Sequence, residues 1–315
     1  MLGRHGLASV LVVGFGSIGS RHARVARDLG HEVAVVSRRG VAGDLPCYPT
    51  IDQALLARGF DGAVVATETA SHALDLKCLL EGGFGGRILV EKPLFATSAE
   101  ADVPLIKAAA ARISVAYNLR FHPALIQARR ALDGARILNI VVHVGQDLRQ
   151  WRTDRPVENT YSSQRSAGGG ALRDLSHELD YLLWLFGPWR EVTALGGRVG
   201  DLPGDSDDCW SVAIRFASGA IASLAIDYFC RRPVRTLTCN STADTVQIDL
   251  VKGVLVQGAG ETIWPVDRDL TYREQMDGFL NGRHRDLCTF GEAMEVMRLI
   301  EAIERVSDRE AMAIS

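Results

Sequence analysis

Val10-Leu11-Val12-Val13 runs directly into Gly14-Phe15-Gly16-Ser17-Ile18-Gly19, and Ile18–Leu29 then carries apolar residues at helical spacing. No other feature limits the fold as much. A β-branched strand has to become a helix within six residues, and three of those six lack a side chain. Gly14 permits the tight turn, Gly16 lets a ligand approach the backbone, and Gly19 lets helix and strand pack closely. The unpaired N–H groups of the helix start then face an anion such as a pyrophosphate. A glycine-rich turn with no ligand is the alternative, and the strand before and helix after it argue for the phosphate loop.

The chain continues in the same manner. Glu32–Val36, Asp61–Ala66, Arg87–Val90 and Ile113–Tyr117 read as strands. Helices are expected near His72–Leu80 and at Ala99–Ala111. Such alternation builds βαβ units and a parallel sheet covered on both faces, a Rossmann dinucleotide-binding domain over residues 1–120. The pattern changes between Tyr117 and Pro123. Residues 121–315 read as a second, α+β domain that looks antiparallel from Glu191 to about Gln257. A helix at Pro123–Leu132 leads to a strand at Ile137–Asp147 and an irregular stretch at Leu148–Gly170. One helix over Ala171–Phe186 stops at Gly187-Pro188. Trp210, Val212, Ile214 and Phe216, then Ala222, Leu224, Ile226 and Tyr228, alternate with small or polar residues around Ser218-Gly219, which makes a hairpin. Leu287–Val306 reads as an amphipathic helix.

Composition narrows the class. The 315 residues carry a net charge of −3, against a nucleic-acid binder. No apolar run reaches the roughly 18–20 residues that span a bilayer, and no signal peptide precedes the first strand. Six cysteines form no C-x-x-C pair, so no metal site is expected, and reduced thiols fit a cytoplasmic protein. Only four of the 35 basic residues are lysines, Lys77, Lys92, Lys107 and Lys252. Arginine stays protonated at any useful pH and lysine need not, so each lysine carries more information.

The end of the second strand selects the cofactor. NAD-binding chains place a carboxylate there for the ribose hydroxyls. Here Val36 is followed by Ser37-Arg38-Arg39, a hydroxyl and two guanidiniums suited to a 2′-phosphate, which points to NADP(H) over NAD(H). Two solvated arginines in an arginine-rich chain are the alternative. Glu91-Lys92-Pro93 ends the strand Arg87–Val90 at the carboxyl edge, where open α/β sheets bind ligands. A partly buried lysine there can serve proton transfer, and a surface lysine at a strand end is the competing reading. Downstream, Gly168-Gly169-Gly170 precede a helix whose stripe Leu172, Leu175, Leu179, Leu182 and Phe186 faces the core. Asp174, His177 and Tyr181 share another face, either an acid/base pair or a solvated polar surface.

In this order and spacing the chain resembles the Gfo/Idh/MocA oxidoreductases, a family that includes glucose–fructose oxidoreductase and the inositol dehydrogenases. The resemblance rests on Gly14–Gly19, Ala66-Thr67 with His72, Glu91-Lys92-Pro93, Tyr117–Pro123 and Gly168–Asp180. It implies a Rossmann domain followed by an α+β substrate-binding and oligomerisation domain, residues 121–315, with a large, mostly antiparallel open sheet. It also implies that Gly14, Gly16, Ser17, Ile18 and Gly19 hold the dinucleotide with Ser37, Arg38 and Arg39. Thr67, His72, Glu91 and Lys92 would line its nicotinamide side. Lys92 would bridge the substrate hydroxyl, His177 would exchange the proton, and Asp174 would orient His177 or the sugar. Asn118, Arg120 and Tyr161 would contact substrate. The family separates the Asp and His by four residues where Asp174 and His177 are three apart, and His177 keeps its register with Asp180. Glu68 stands where many members have proline.

The resulting expectation is an NAD(P)-dependent dehydrogenase or reductase acting on CH–OH groups. It would move a hydride between nicotinamide and a secondary alcohol or ketone of a sugar, cyclitol or nucleotide sugar. Its partner would be a small carbohydrate, with no nucleic acid or membrane, and it would form a homodimer or homotetramer through the open sheet. Arg149, Arg152, Arg155, Arg165 and Arg173 either meet an anionic part of the substrate or form a solvated loop. Two rivals are a hydrolase or isomerase that cycles the cofactor internally and a non-catalytic dinucleotide sensor. The sensor would be expected to have lost Lys92 or His177.

Overall fold

A computed structural model describes residues 7–40, 43–151, 156–282 and 286–313, with side chains to residue 307. The chain divides into two compact units, Met1–Phe121 with Arg268–Met294, and His122–Asp267 with Glu295–Ser315. The first boundary falls beside the sequence change at Tyr117–Pro123. The second unit is not the continuous 121–315 expected, because residues 268–294 return to the first.

The first unit is the Rossmann domain. Strands β1 (Ser9–Val13), β2 (Glu32–Val36), β3 (Cys47–Tyr48), β4 (Gly62–Val65), β5 (Arg87–Val90) and β6 (Ile113–Val115) pair in parallel. Their order is β3-β2-β1-β4-β5-β6, and β15 (Cys288–Thr289) joins β6 antiparallel. Helices α1 (Ser17–Asp28), α2 (Ile51–Ala57), α3 (His72–Glu81), α4 (Pro104–Ala109) and α9 (Leu270–Leu280) belong to this unit. Strands covered on both faces are apolar throughout, and Val10, Leu11, Val12, Val64, Val65 and Leu89 are fully buried. The helix expected at Ala99–Ala111 is instead a tight turn at Ser98–Asp102 followed by α4. Pro104 lacks an N–H and keeps Val103 extended, so it starts a helix and cannot continue one.

The second unit carries strands β7 (Ile137–Gly145), β8 (Trp189–Gly197), β9 (Cys209–Phe216), β10 (Ile221–Asp227), β11 (Val234–Ser241), β12 (Thr245–Asp249), β13 (Val254–Gln257) and β14 (Gly260–Ile263). They lie in the order β14-β13-β12-β11-β7-β10-β9-β8, antiparallel except for the parallel pair β7–β10. The expected β9–β10 hairpin is present. Its inward side chains Trp210, Val212, Ile214, Phe216, Ala222, Leu224 and Ile226 are buried, and Gly219 takes the turn at φ +91°. Helices α5 (Pro123–Ala131), α6 (Leu148–Trp151), α7 (Ala171–Asp174) and α8 (His177–Phe186) belong to this unit, and α10 (Phe290–Ala313) contributes from Glu295 onward.

The single helix expected over Ala171–Phe186 is two. At the α7–α8 joint the Ser176 N–H bonds to the Arg173 carbonyl and the Glu178 N–H to the Leu175 carbonyl, three residues back instead of four. This tighter winding ends α7 and re-aims α8 while every residue of the Leu172–Phe186 stripe stays buried. Among the described residues no helix is long and apolar enough to cross a membrane.

Candidate functional site

The phosphate loop of the first unit is built by steric necessity at two glycines. Gly14 sits at φ +92°, and a Cβ there would lie 2.8 Å from the Ala66 carbonyl oxygen. A Cβ on Gly19 would lie 2.0 Å from the Gly14 carbonyl oxygen, so α1 can pack on β1 only without one. Gly16 differs. It caps α1 from an extended conformation, and a Cβ on it would meet no protein atom within 4 Å. Packing therefore does not explain a glycine at 16. Gly16 and Ser17 are exposed, Ile18 is half-buried, and no side chain caps the first-turn N–H groups. An open cradle over a helix start fits a pyrophosphate.

The neighbouring strands end at the same edge. Ser37, after β2, is buried, and its hydroxyl accepts the Arg39 N–H at 3.3 Å, while Arg38 and Arg39 are exposed. After β4, the Thr67 hydroxyl donates to Asp75 on α3 at 2.6 Å. Burial pushes the Asp75 carboxyl up, and the Thr67 bond and the charges of His72 and Arg38 pull partly against it. His72 is 1% exposed, its Nδ1 lies 3.2 and 3.1 Å from the Pro93 and Leu94 carbonyls, and its Nε2 lies 3.3 Å from the Thr67 carbonyl. Burial holds its pKa below the usual imidazole value against those contacts. The ring thus ties the segment after β4 to the segment after β5.

Glu91 and Lys92 follow β5, and the Lys92–Pro93 peptide is cis. Glu91 is buried. Its Oε1 lies 2.7 Å from Nε2 of His22 on α1, and its Oε2 accepts the Lys92 N–H at 3.2 Å. Burial pushes the Glu91 carboxyl up, but the His22 bond and charge and the Lys92 ammonium outweigh it and hold the group below its usual range. Glu91 therefore fixes the backbone that carries the half-buried Lys92. Asn118 donates to the Thr271 hydroxyl at 2.6 Å, and the buried Arg120 pairs with Glu292 at 3.1 Å.

In the second unit the three glycines admit close backbone contacts. A Cβ on Gly169 would lie 2.0 Å from the Tyr161 carbonyl oxygen, and one on Gly170 (φ +123°) 2.0 Å from Asp207 Oδ1. Asp207 accepts the Leu172 N–H at the start of α7 and the Trp210 indole N–H. The half-buried Tyr161 is thereby held against the glycines in the turn Tyr161–Ser163. Asp174 is 4% exposed and accepts the Tyr228 hydroxyl at 2.7 Å, while burial and Asp174 raise the Tyr228 pKa well above normal. His177, half-buried, begins α8.

Asp174 ends α7 and His177 begins α8, so the face expected to carry Asp174, His177 and Tyr181 is not one surface of a single helix. Tyr181 is fully buried, with the Glu178 carboxylate beside it, and Glu178 pairs with Arg235 at 3.0 Å. Arg149 and Arg173 are held by Asp147 and Glu304 in ion pairs of 2.9 and 3.0 Å. Arg152 and Arg155 lie outside the described residues. Sequence reasoning missed His22, Asp75, Tyr228, Thr271 and Glu292. Only His22 left a local signal, an imidazole three residues past Gly19 on the buried side of α1.

Residues 8–118 match the profile of an oxidoreductase family with an NAD-binding Rossmann fold, and residues 126–249 match that of the GFO/IDH/MocA C-terminal domain. Levoglucosan dehydrogenase of Pseudarthrobacter phenanthrenivorans is 28% identical over 64% of the chain, and inositol 2-dehydrogenase of Rhizobium meliloti is 29% identical over 68%. These matches span 55% and 67% of the two relatives' own lengths. The crystal structure of GenD2 from gentamicin A biosynthesis, in complex with NAD, is 26% identical with a TM-score of 0.79, covering 96% of this chain and 95% of its own. A levoglucosan dehydrogenase complex with NADH shares the fold at a TM-score of 0.82 and 20% identity, covering 97% and 98% of the two chains.

Proposed function

Because the chain belongs to the Gfo/Idh/MocA oxidoreductases, we propose that it is an NADP(H)-dependent dehydrogenase or reductase acting on a secondary alcohol or ketone of a sugar, cyclitol or nucleotide sugar. The observation that carries this reading is the placement of Lys92. It stands at the carboxyl end of β5, two strands from the open glycine cradle after β1 and on the same edge of the sheet. At about 4.8 Å per strand that is about 10 Å. Gly14, Gly16, Ser17, Ile18 and Gly19 would hold the pyrophosphate, with Thr67, His72 and Glu91 toward the nicotinamide. The bound dinucleotide would supply or accept a hydride at C4 of its nicotinamide.

The protein's own part is proton handling and orientation. Lys92, on a backbone fixed by Glu91, polarises the reacting oxygen. His177 takes or gives the proton at that oxygen, and Asp174, anchored by Tyr228, positions the substrate or the imidazole. Asn118, Arg120 and Tyr161 contact substrate. Arg38 and Arg39, exposed beside Ser37 where no carboxylate stands, favour a 2′-phosphate, although relatives have been seen with NAD and NADH. None of the six cysteines, all described, is in a disulfide, in keeping with a reducing cytoplasm. The outward face of the sheet exposes Val141, Leu195 and Ile221, in keeping with a homo-oligomer.

Lys92→Met and His177→Ala should each abolish turnover of a keto-sugar with net NADPH consumption and leave NADPH binding nearly intact. Turnover near the wild-type rate in both variants would overturn the mechanism. Greater thermal stabilisation by NAD(H) than by NADP(H) would overturn the cofactor assignment.

A further inference from the structure

We propose that His143, Asp227 and Cys230 form a three-ligand site for a zinc-class divalent cation on the outward face of the second unit's sheet, with water as the fourth ligand. His143 Nε2 lies 3.2 Å from Asp227 Oδ2 and 3.7 Å from Cys230 Sγ, and Sγ lies 3.5 Å from the same Oδ2. A tetrahedral zinc ion with bonds of about 2.0–2.3 Å would separate nitrogen and oxygen by about 3.4 Å, and sulfur from either by about 3.6 Å. All three observed edges agree with that tetrahedron to about 0.2 Å.

The surroundings are those of a built site. Asp227 Oδ1 accepts the N–H groups of Phe229 and Cys230 at 2.8 and 2.9 Å, which leaves Oδ2 turned to the other two ligands. Such outer contacts orient metal ligands. Gly145 faces Asp227 across the parallel β7–β10 pair, and a Cβ there would lie 2.6 Å from Sγ and 2.7 Å from Oδ2. The glycine therefore keeps the ligands' space open. His143 remains 42% exposed, so solvent can supply the fourth ligand. Imidazole, thiolate and carboxylate together suit zinc and its borderline-soft neighbours, not magnesium or calcium. On binding, the cation displaces the Cys230 thiol proton to solvent. No local motif announces the site, because His143 and Asp227 are 84 residues apart. A cation there would clip β7 to β10 at the one parallel pairing of this sheet.

The test uses the full chain, reduced and stripped of metal, titrated with Co²⁺ and then Zn²⁺. One equivalent of cobalt should give a thiolate-to-cobalt charge-transfer band and visible bands of tetrahedral intensity, which zinc abolishes. Cys230→Ser should remove the charge-transfer band, and Cys47→Ser should leave it unchanged. Losing a direct ligand in His143→Gln should weaken zinc by more than about 100-fold, beyond the usual cost of losing an outer contact. Zinc should raise the melting temperature of the wild type and not of His143→Gln. No charge-transfer band in the wild type, or an undiminished one in Cys230→Ser, would overturn the proposal. Should Cys230→Ser fail to fold, unchanged zinc affinity in His143→Gln would do the same.

Discussion

Replacing each glycine of the phosphate loop by alanine separates those required by packing from the one reserved for a ligand. In Gly19→Ala the new Cβ would sit 2.0 Å from a backbone oxygen, so α1 must move off β1. In Gly14→Ala, φ +92° costs an alanine about 1–2 kcal/mol before the 2.8 Å contact with the Ala66 oxygen is relieved. Both proteins should be plainly destabilised whether or not cofactor is present. Gly16→Ala meets no protein atom within 4 Å, and its backbone is extended, so only capping preference is lost. That is about 1 kcal/mol, or about 2–4 °C in melting temperature for a protein of this size. The new methyl group occupies the approach to the first turn of α1. Losing one charge-assisted N–H contact to phosphate costs about 1.5–3 kcal/mol, which is about 10- to 150-fold in Kd. Titration of intrinsic fluorescence with NADPH measures the affinity, and thermal unfolding of the free protein measures the stability. If Gly16→Ala binds NADPH within about threefold of wild type, under about 0.7 kcal/mol, the open cradle is not the phosphate site.

Arg38→Ala and Arg39→Ala should each raise the KM for NADPH about tenfold with little effect on that for NADH, as expected for a lost charge-assisted contact to the 2′-phosphate; equal effects on both would refute the role. Tyr228→Phe removes the hydroxyl that donates to the buried Asp174, and should cost about 1.5–3 kcal/mol in urea unfolding at an unchanged m-value. His122, 2% exposed, has its pKa lowered by burial to about 4. The unfolded chain binds this proton first, so the stability tied to His122 is complete above about pH 6.5 and is lost as pH falls toward 4, by up to about 3 kcal/mol. His122→Asn should flatten that part of the pH–stability profile, and an unchanged slope would show that other groups titrate there.

What could be read in the sequence was what short range decides. The turn after β1 needs glycines at 14 and 19 for reasons confined to a dozen residues, and alternation along β9 and β10 places their buried faces without knowledge of the partner. Nothing so local assigned residues 268–294 to the first unit. The helix Leu270–Leu280 belongs there through contacts such as Asn118 to Thr271, 153 residues apart, and the start of α10 through Arg120 with Glu292, 172 apart. Periodicity carries no information about which distant segment completes a sheet edge. The α7–α8 joint was hidden for a different reason. The Leu172–Phe186 stripe fits one helix or two, and the carboxylates that flank the joint, Asp174 and Glu178, meet distant partners, Tyr228 just after β10 and Arg235 on β11.

Glu91 shows how local and distant information combine at the candidate site. Strand β5 and its carboxyl edge are legible, and so is Lys92 as a rare lysine in an arginine-rich chain. The reason that lysine has a fixed backbone is not, since it depends on His22, 69 residues away on the helix that begins at the phosphate loop. One imidazole thus joins the element that would hold the pyrophosphate to the segment that would polarise the substrate, both inside a single compact unit. A change at His22 should therefore act through Glu91 on Lys92. Loss of the His22 bond leaves burial, the largest influence on the Glu91 carboxyl, less opposed. In His22→Phe the carboxyl should then take up a proton at higher pH than in the wild type, and the acid limb of the pH–kcat profile should move upward while NADPH affinity at neutral pH is kept. An acid limb that stays in place would show that His22 only fills space beside Tyr272.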